Sequence, residues 1–241
     1  MANSIFNRSL YKRNISRFCN KSIKDDFIYS IAEDIAQEII DSSNKTFKNV
    51  LLYNPIFKSN IRSNGKVIKS TIYEYDEEDM DIGEDKFDLI VSTLSLHLVN
   101  NVPKALNRYY KALNHNGIFI ATLLGGRSFS QLRLASMVAD QKIYGGVFPR
   151  VMPTIDPSIA PTLLQNAGFS IPVVSTELYT AQYKSIYDLI LDIRNIGHSN
   201  CIKSQRNGLE SKKYISALSQ AYHESVITND LEILLLCGSK D

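Results

Sequence analysis

Residues 87–126 read FDLIVSTLSLHLVNNVPKALNRYYKALNHNGIFIATLLGG, and this stretch decides the fold. Phe87 to Ser92 is a short apolar run behind an acidic turn, the pattern of a strand buried on both faces. Pro103 then opens a helical period in which Ala105, Leu106, Tyr109, Tyr110 and Leu113 recur at three- and four-residue spacing. Asn116-Gly117 ends it, and Ile118 to Leu124 is a second apolar strand. Strand, crossover helix and strand predict two parallel strands joined right-handedly. Sheets of this kind bind ligands beyond the carboxyl ends of their strands. The segment Ser92 to His97 after the first strand and Gly125-Gly126 after the second are therefore the first candidates.

Outward from this unit the chain mostly alternates helix and strand. Residues 1–24 are polar and basic and read as a loose arm or a frayed helix. Asp25 or Asp26 caps a helix running to about Ile40, with Phe27, Ile31, Ile35 and Ile39 near one stripe. Asn49 to Tyr53 is the first apolar strand, and Lys66 to Tyr75 supplies one or two short strands. Asp76 to Asp85 is dense in acids and reads as a solvated loop. Downstream, helices are expected over Phe129–Ala139, Thr162–Asn166, Ile186–Ile196 and Lys212–Glu224, with strands at Pro172–Leu178 and Leu231–Cys237. Alternation argues for one doubly wound α/β domain over residues 25–241. Segments of about 126–160 and 180–225 read as additions on its ligand side.

Bulk composition narrows the classes. The chain has 241 residues, 44% hydrophobic and 22% charged, ordinary for a globular protein with a sizeable core. A net charge of +2 gives no case for nucleic acid. Cys19, Cys201 and Cys237 are widely spaced and fit neither a metal site nor a disulfide framework, which suits a reducing compartment. No apolar run reaches the roughly 18–20 residues of a membrane span. The early basic residues Arg8, Lys12, Arg13, Arg17 and Lys21 fit a transit peptide or a solvated arm of the mature domain.

Several words in the chain resemble class I S-adenosylmethionine (SAM) methyltransferases. The nearest subgroup contains the mitochondrial complex I assembly factor five and the biotin-synthesis malonyl-carrier methyltransferase. These words are FDLIVSTLSLH (87–97), NNVPKAL (100–106), NGIFIATLLGG (116–126), GGVFPRV (145–151), IGHSN (196–200) and the opening IFNRSLYKR (5–13). The last of these argues against a cleaved transit peptide. The resemblance implies a three-layer Rossmann-like sheet, seven-stranded and mostly parallel, with a carboxyl-terminal antiparallel hairpin. It implies SAM at the ends of the first, second and fourth strands. It implies two activities: hydroxylation of an arginine in a respiratory complex I subunit, or methylation of a carrier-bound carboxylate. The compartment implied is the mitochondrial matrix in a eukaryote and the cytoplasm in a bacterium.

The chain departs from that pattern in its first half. A glycine-rich turn should follow the first strand, because the ligand lies against bare backbone there. VLLYNPIFKSN (50–60) instead puts Leu52 in the place of the acid and Asn54 and Ile56 in the places of glycines, while Pro55 removes an N–H donor. The span Asn54 to Lys86 is about as long as a single βαβ unit, roughly 30 residues, where two helices and two strands are due, so the first half is shortened. Residues on the cofactor side are Tyr53, Asn54, Ser92, Thr93 and Leu94, with Glu74 and Asp76 nearest the place of the ribose acid. On the substrate side Gly125, Gly126, Arg133, Pro149, Arg150 and Asn200 match the family's words. Arg127 and Gln131 stand where relatives carry acids.

His97, at the carboxyl end of a buried strand, is the candidate general base or substrate contact; packing beside Leu96 and Leu98 is its ordinary alternative. Arg150 is the candidate holder of an acidic group, a loop salt bridge being its ordinary alternative. His115 and His198 read as exposed, and His223 has no evident partner. No His, Cys and acid set has metal spacing. The expectation is a complex I assembly type of methyltransferase-like protein, with SAM binding weakened or lost, working on or with a protein. An active SAM-dependent methyltransferase on a small or carrier-bound carboxylate is the alternative.

Overall fold

A computed structural model describes residues 4–19, 27–53, 59–63, 65–70, 76–206, 208–222 and 226–241. In chain order the elements are α1 (Arg8–Cys19), α2 (Phe27–Ser42), β1 (Asn49–Tyr53), β2 (Lys66–Ser70), β3 (Phe87–Thr93), α3 (Val102–Ala112), β4 (Leu113–Leu124), α4 (Ser130–Tyr144), α5 (Ala160–Ala167), β5 (Ser170–Tyr183), α6 (Ile186–Asn195), α7 (Lys212–Gln220) and β6 (Ile227–Ser239). A 3₁₀ turn at Leu96–Leu98 follows β3.

The decisive stretch folds as its pattern dictates. β3 and β4 are parallel, in register from Leu89 opposite Ile118 to Thr93 opposite Thr122. The side chain of Asn101 caps α3 by accepting the Lys104 N–H, and Pro103 sits in the first turn, where its missing donor costs nothing. Asn116 takes a left-handed φ of 61° as the chain turns into the paired part of β4.

Six strands form one sheet in the order β2-β1-β3-β4-β6-β5. β1 pairs parallel with β2 and with β3, whereas β6 runs antiparallel to both β4 and β5. This is the mostly parallel α/β sheet with an antiparallel carboxyl-terminal pair that was expected. The resemblance implied seven strands; among the described residues the sheet ends at β2, on the side where the chain is short.

Alternation along the strands separates two core layers. Val50, Leu52, Leu89, Val91 and Ile120 face α2, α4, α6 and α7. Leu51, Ile90, Phe119, Ala121 and Leu123 face α3 and α5. Both faces of the sheet are thus covered, which is why the strand runs are continuously apolar.

Several elements run past their expected ends. α4 continues to Tyr144 because the left-handed turn that stops it comes only at Gly145, with φ 71°. β5 begins at Ser170 and ends at Tyr183 because it pairs with β6 along almost its whole length. α5 starts at Ala160, ahead of Pro161 in its first turn. The basic N-terminus carries a packed helix: Tyr11 and Ile15 of α1 are fully buried against Leu98, Met152, Cys201 and Ile202. Phe6 bridges Ile202, and the Asn7 N–H donates to the Cys201 carbonyl at 2.8 Å.

Candidate functional site

The ends of β1 and β3 come together, and α1 lies over them. Tyr53, the last residue of β1, is buried. Asp76, the candidate ribose acid, is 2.6 Å from Arg8 and 3.2 Å from Lys12, both on α1. Burial pushes its pKa up, but the bonds from Arg8 outweigh that and hold it below the usual carboxylate range. Arg8 also donates to the Leu98 carbonyl at 2.8 Å, which ties α1 to the turn after β3. Asn54 and Glu74 lie outside the described residues. Leu52, in the place of the family's first-strand acid, is buried in the core. Asp76, the described candidate for the ribose acid, is thus engaged by two cations.

Ser92, Thr93 and Leu94 are buried at the end of β3. The Ser92 hydroxyl donates to Glu77 at 2.9 Å, and Tyr109 donates to the same oxygen at 2.5 Å. Leu94 takes a left-handed φ of 50°, with its N–H on the Thr122 carbonyl at 2.7 Å. The acidic loop that read as solvated therefore hides a core acid: Glu77 is fully buried and its Oε2 has no partner. Burial raises its pKa against the bonds from Tyr109 and Ser92. Nothing in its sequence neighbourhood separates Glu77 from the exposed acids around it, because only the tertiary approach of Tyr109 selects it.

At the end of β4, Gly125 donates to the Glu232 carbonyl at 2.7 Å, and the Glu232 carboxylate accepts the Arg127 N–H at 3.0 Å. A Cβ on Gly125 would lie 2.4 Å from Glu232 Oε2, whereas Gly126 has nothing within 4 Å. The paired glycines thus differ: a side chain at the first would displace that of Glu232, and the second is exposed. Although Arg127 and Gln131 stand where relatives carry acids, β6 sets the Glu232 carboxylate beside the same turn. Arg127 is exposed, and Arg133 borders a second groove together with Gly126 and Pro149.

A cavity of about 540 Å³ opens beyond the ends of β3 and β4. Its wall is mainly apolar, with Leu124, Phe129, Met152 and Ile193, and comes largely from the segments that read as ligand-side additions. His97 and His198 both line it. The two rings stack with centroids 4.9 Å apart, and their Nε2 atoms are 2.8 Å apart. His198, expected to be exposed, is buried because Gly197 turns the chain back after α6 with φ 77°. Burial lowers the His198 pKa to about 4 against the opposing bond to the Ile196 carbonyl. Burial, then His198, lowers His97 well below its ordinary value.

The hydrogen bonds fix the tautomers. His198 Nδ1 is 2.8 Å from the Ile196 carbonyl, which only accepts, so Nδ1 carries the proton. In a neutral ring His198 Nε2 is then bare, and His97 Nε2 must donate to it. His97 Nδ1 is left as a bare acceptor, buried and without a partner. A buried acceptor left unpaired costs on the order of 1–3 kcal/mol.

Arg150 lines the same cavity but is fully engaged. It meets Asp140 at 2.5 Å and Glu210 at 2.5 Å and stands 4.5 Å from the centre of the Tyr214 ring. Burial pulls its pKa down, but those two acids outweigh burial and leave it raised. It would meet an acidic substrate only by giving up Glu210. Asn200 donates to the Pro149 carbonyl at 2.7 Å and accepts from the Ile202 N–H, closing the cavity floor against α1. Among the described residues no His, Cys, Asp and Glu group is placed to hold a metal ion, and no helix is long and apolar enough to cross a membrane.

The sheet order and the ligand-side cavity can now be set against known proteins. A methyltransferase-domain family matches residues 30–121. A solved methyltransferase-type protein from Bacillus halodurans superposes with a TM-score of 0.50 at 12% identity, covering 84% of this chain and 97% of that one. A phosphoethanolamine N-methyltransferase from Haemonchus contortus, at 12% identity, gives 0.52 over 95% of this chain and 60% of its own. The chain has the fold of the class I methyltransferases and is similar in sequence to members of that superfamily. Its curated relatives are those of the subgroup that the motif words indicated. One is the rat mitochondrial arginine-hydroxylase NDUFAF5, 32% identical over 64% of this chain and 45% of that protein. A Rickettsia prowazekii protein, provisionally named a methyltransferase, is 37% identical over 59% of this chain and 63% of its own. The malonyl-[acyl-carrier protein] O-methyltransferase of Xylella fastidiosa is 24% identical over 68% of this chain and 55% of its own. The chain thus spans about half the length of the curated relatives it matches.

Proposed function

We propose that this chain is an assembly factor of the NDUFAF5 type, a methyltransferase-like protein that works on or with a protein partner, a subunit of respiratory complex I being the first choice. SAM is the ligand class that goes with its domain family, and its binding here is weakened or lost. The observation that carries this reading is the engagement of Asp76 by Arg8 and Lys12. An acid held by two cations is a poor acceptor for ribose hydroxyls, and α1 would have to let go of it first. The replacement of glycines by Asn54 and Ile56 points the same way. The compartment would be the matrix of a mitochondrion or the cytoplasm of a bacterium, as the sources of the relatives suggest.

Titration calorimetry with SAM and with S-adenosylhomocysteine tests the cofactor half of the proposal. No heat at millimolar ligand supports it. Micromolar binding would overturn it in favour of an active transferase. Deleting the gene tests the partner half: assembled complex I should fall while biotin-dependent growth is unchanged, and unchanged complex I would count against the assembly role. Restoring glycine at 54 and 56 together should improve SAM affinity if those side chains obstruct it. No gain would move the cause to the shortened span before β3.

A further inference from the structure

We infer that the outward face of α4 is a docking site for a helix of a partner protein, one whose apolar stripe is flanked by acidic residues. The inference deepens the reading above by giving the partner a surface and a chemistry. It rests on that reading only in taking the partner to be a protein.

Its root is a helix that is apolar on both sides. Leu132, Ala135, Ser136 and Ala139 of α4 are buried against the domain. The opposite positions, where a surface helix ordinarily carries polar residues, hold Leu134, Met137 and Val138, which are 65%, 44% and 54% exposed. With Gln141 they follow the i, i+3, i+4, i+7 spacing of one stripe along the helix axis. Single exposed apolar residues are ordinary on a protein surface, but three that adjoin along one helix mark a site of association. Met137 adds a flexible side chain that adapts to a partner's shape.

Charge selects the occupant. The helical period sets Arg133 on one side of the stripe and Lys142 on the other. α7 packs beside α4 through the stacked rings of Tyr144 and Tyr214, with centroids 5.7 Å apart, and adds the exposed Lys212 and Lys213. The acid of α4, Asp140, is buried on Arg150, and α7 has no acid in its sequence. Glu210, just ahead of α7, is engaged by Arg150 and Arg206. An apolar stripe between cations is complementary to a stripe between carboxylates. A second copy of the chain fits poorly, because α4 against α4 would set Arg133 and Lys142 among like charges. A membrane surface would call for a wider apolar face, whereas three side chains at helical spacing match the ridge that a single partner helix packs against.

Methyl NMR of the full chain with carbon-13 methionine reads the site through Met137, and the buried Met80 and Met152 serve as internal controls. The probe is a peptide about 18 residues long, enough to hold a helix in water, with leucine at i, i+3, i+4 and i+7 and glutamate on both flanks. It should shift the Met137 methyl signal and leave Met80 and Met152 in place. The same peptide with lysine for glutamate should bind at least about tenfold more weakly. Leu134→Ser combined with Val138→Ser should abolish the shift. Arg133→Glu combined with Lys142→Glu should reverse the preference, so that the lysine peptide binds better, which no purely structural role of these residues would produce. No shift of Met137 at millimolar glutamate peptide, equal binding of the two peptides, or a shift at Met152 instead would sink the idea. A Met137 response to phosphatidylglycerol vesicles and not to the peptide would give the face to a membrane. A dimer in sedimentation velocity that Leu134→Ser abolishes would give it to a second copy. Either result overturns the inference. Should the serine variant not fold, the two peptides on the unmodified protein still decide. Neither SAM nor complex I enters these measurements, so failure here and failure of the assembly reading are separable.

Discussion

His97 and His198 stand 101 positions apart in sequence, and their Nε2 atoms meet at 2.8 Å inside the protein. A single shared proton therefore joins the turn after β3 to the turn after α6. A proton taken up by His198 at Nε2 would break the pair, because that atom is its acceptor. In the unfolded chain each would titrate near 6.5.

The pH dependence of stability follows with a definite sign. Both folded-state pKa values lie below the unfolded one, His198 at about 4. Between those values the unfolded chain binds more protons, so stability is full above about pH 6.5 and falls as pH drops toward 4. For His198 alone the loss is on the order of 3 kcal/mol over that window. Urea unfolding at pH 7 and pH 5 checks this, with His198→Gln as control. The variant should lose less stability than the unmodified protein between those two values, and parallel losses would refute the assignment.

Arg150 and Asp140 offer a test of charge burial. Asp140 is fully buried and Arg150 is half-buried at the cavity wall. Arg150→Ala should cost about 3–5 kcal/mol, because it strands a carboxylate away from water. Adding Asp140→Ala to it should recover part of that loss. Denaturant midpoints of the two single variants and the double variant measure the coupling, and strict additivity would argue against a direct pair.

Glu77 makes a narrower prediction. Tyr109→Phe removes one of two hydroxyl donors to the same carboxylate oxygen and leaves the ring packing on Phe119 in place. The expected cost is about 1–3 kcal/mol. A thermal midpoint equal to that of the unmodified protein would mean that Glu77 is already protonated and finds another partner.

The glycine pair gives a contrast within one turn. Gly125→Ala would drive a methyl group into the Glu232 side chain, whose Oε2 would lie at 2.4 Å and whose Cγ would lie at 2.7 Å. It should cost about 1–3 kcal/mol as an overpacked site. Gly126→Ala meets nothing and should be nearly neutral. A crystal structure or a pair of melting curves would show whether Glu232 leaves the Arg127 N–H.

The sheet was legible because its signals are local. Phe87 to Leu124 carries its own periodicity, cap and turn, so strand, helix and strand could be read without knowing what covers them. The matching words extended that reading to the family. What could not be read were groups whose meaning comes from distant partners. His198 follows an ordinary helix stop and shows no sign of burial until His97 is placed opposite it. Glu77 sits among exposed acids, and only Tyr109 and Ser92 reveal it. Arg150 read as a substrate holder with a salt bridge as its alternative, and the distances to Asp140 and Glu210 favour the salt bridge. Charge, unlike apolar period, does not announce in sequence which neighbour it will find.

The packing of α1 bears on how the chain is made. Tyr11 and Ile15 find their cover in Cys201 and Ile202, and the backbone of Asn7 is held by residue 201. During synthesis the first helix leaves the ribosome long before those partners exist. Its apolar face must wait, exposed or held by a chaperone, until nearly the whole domain has emerged. Closing the floor of the cavity is then a late step of folding, and a nascent chain halted before Ile196 would lack both that floor and β6, the strand that joins β5 to β4.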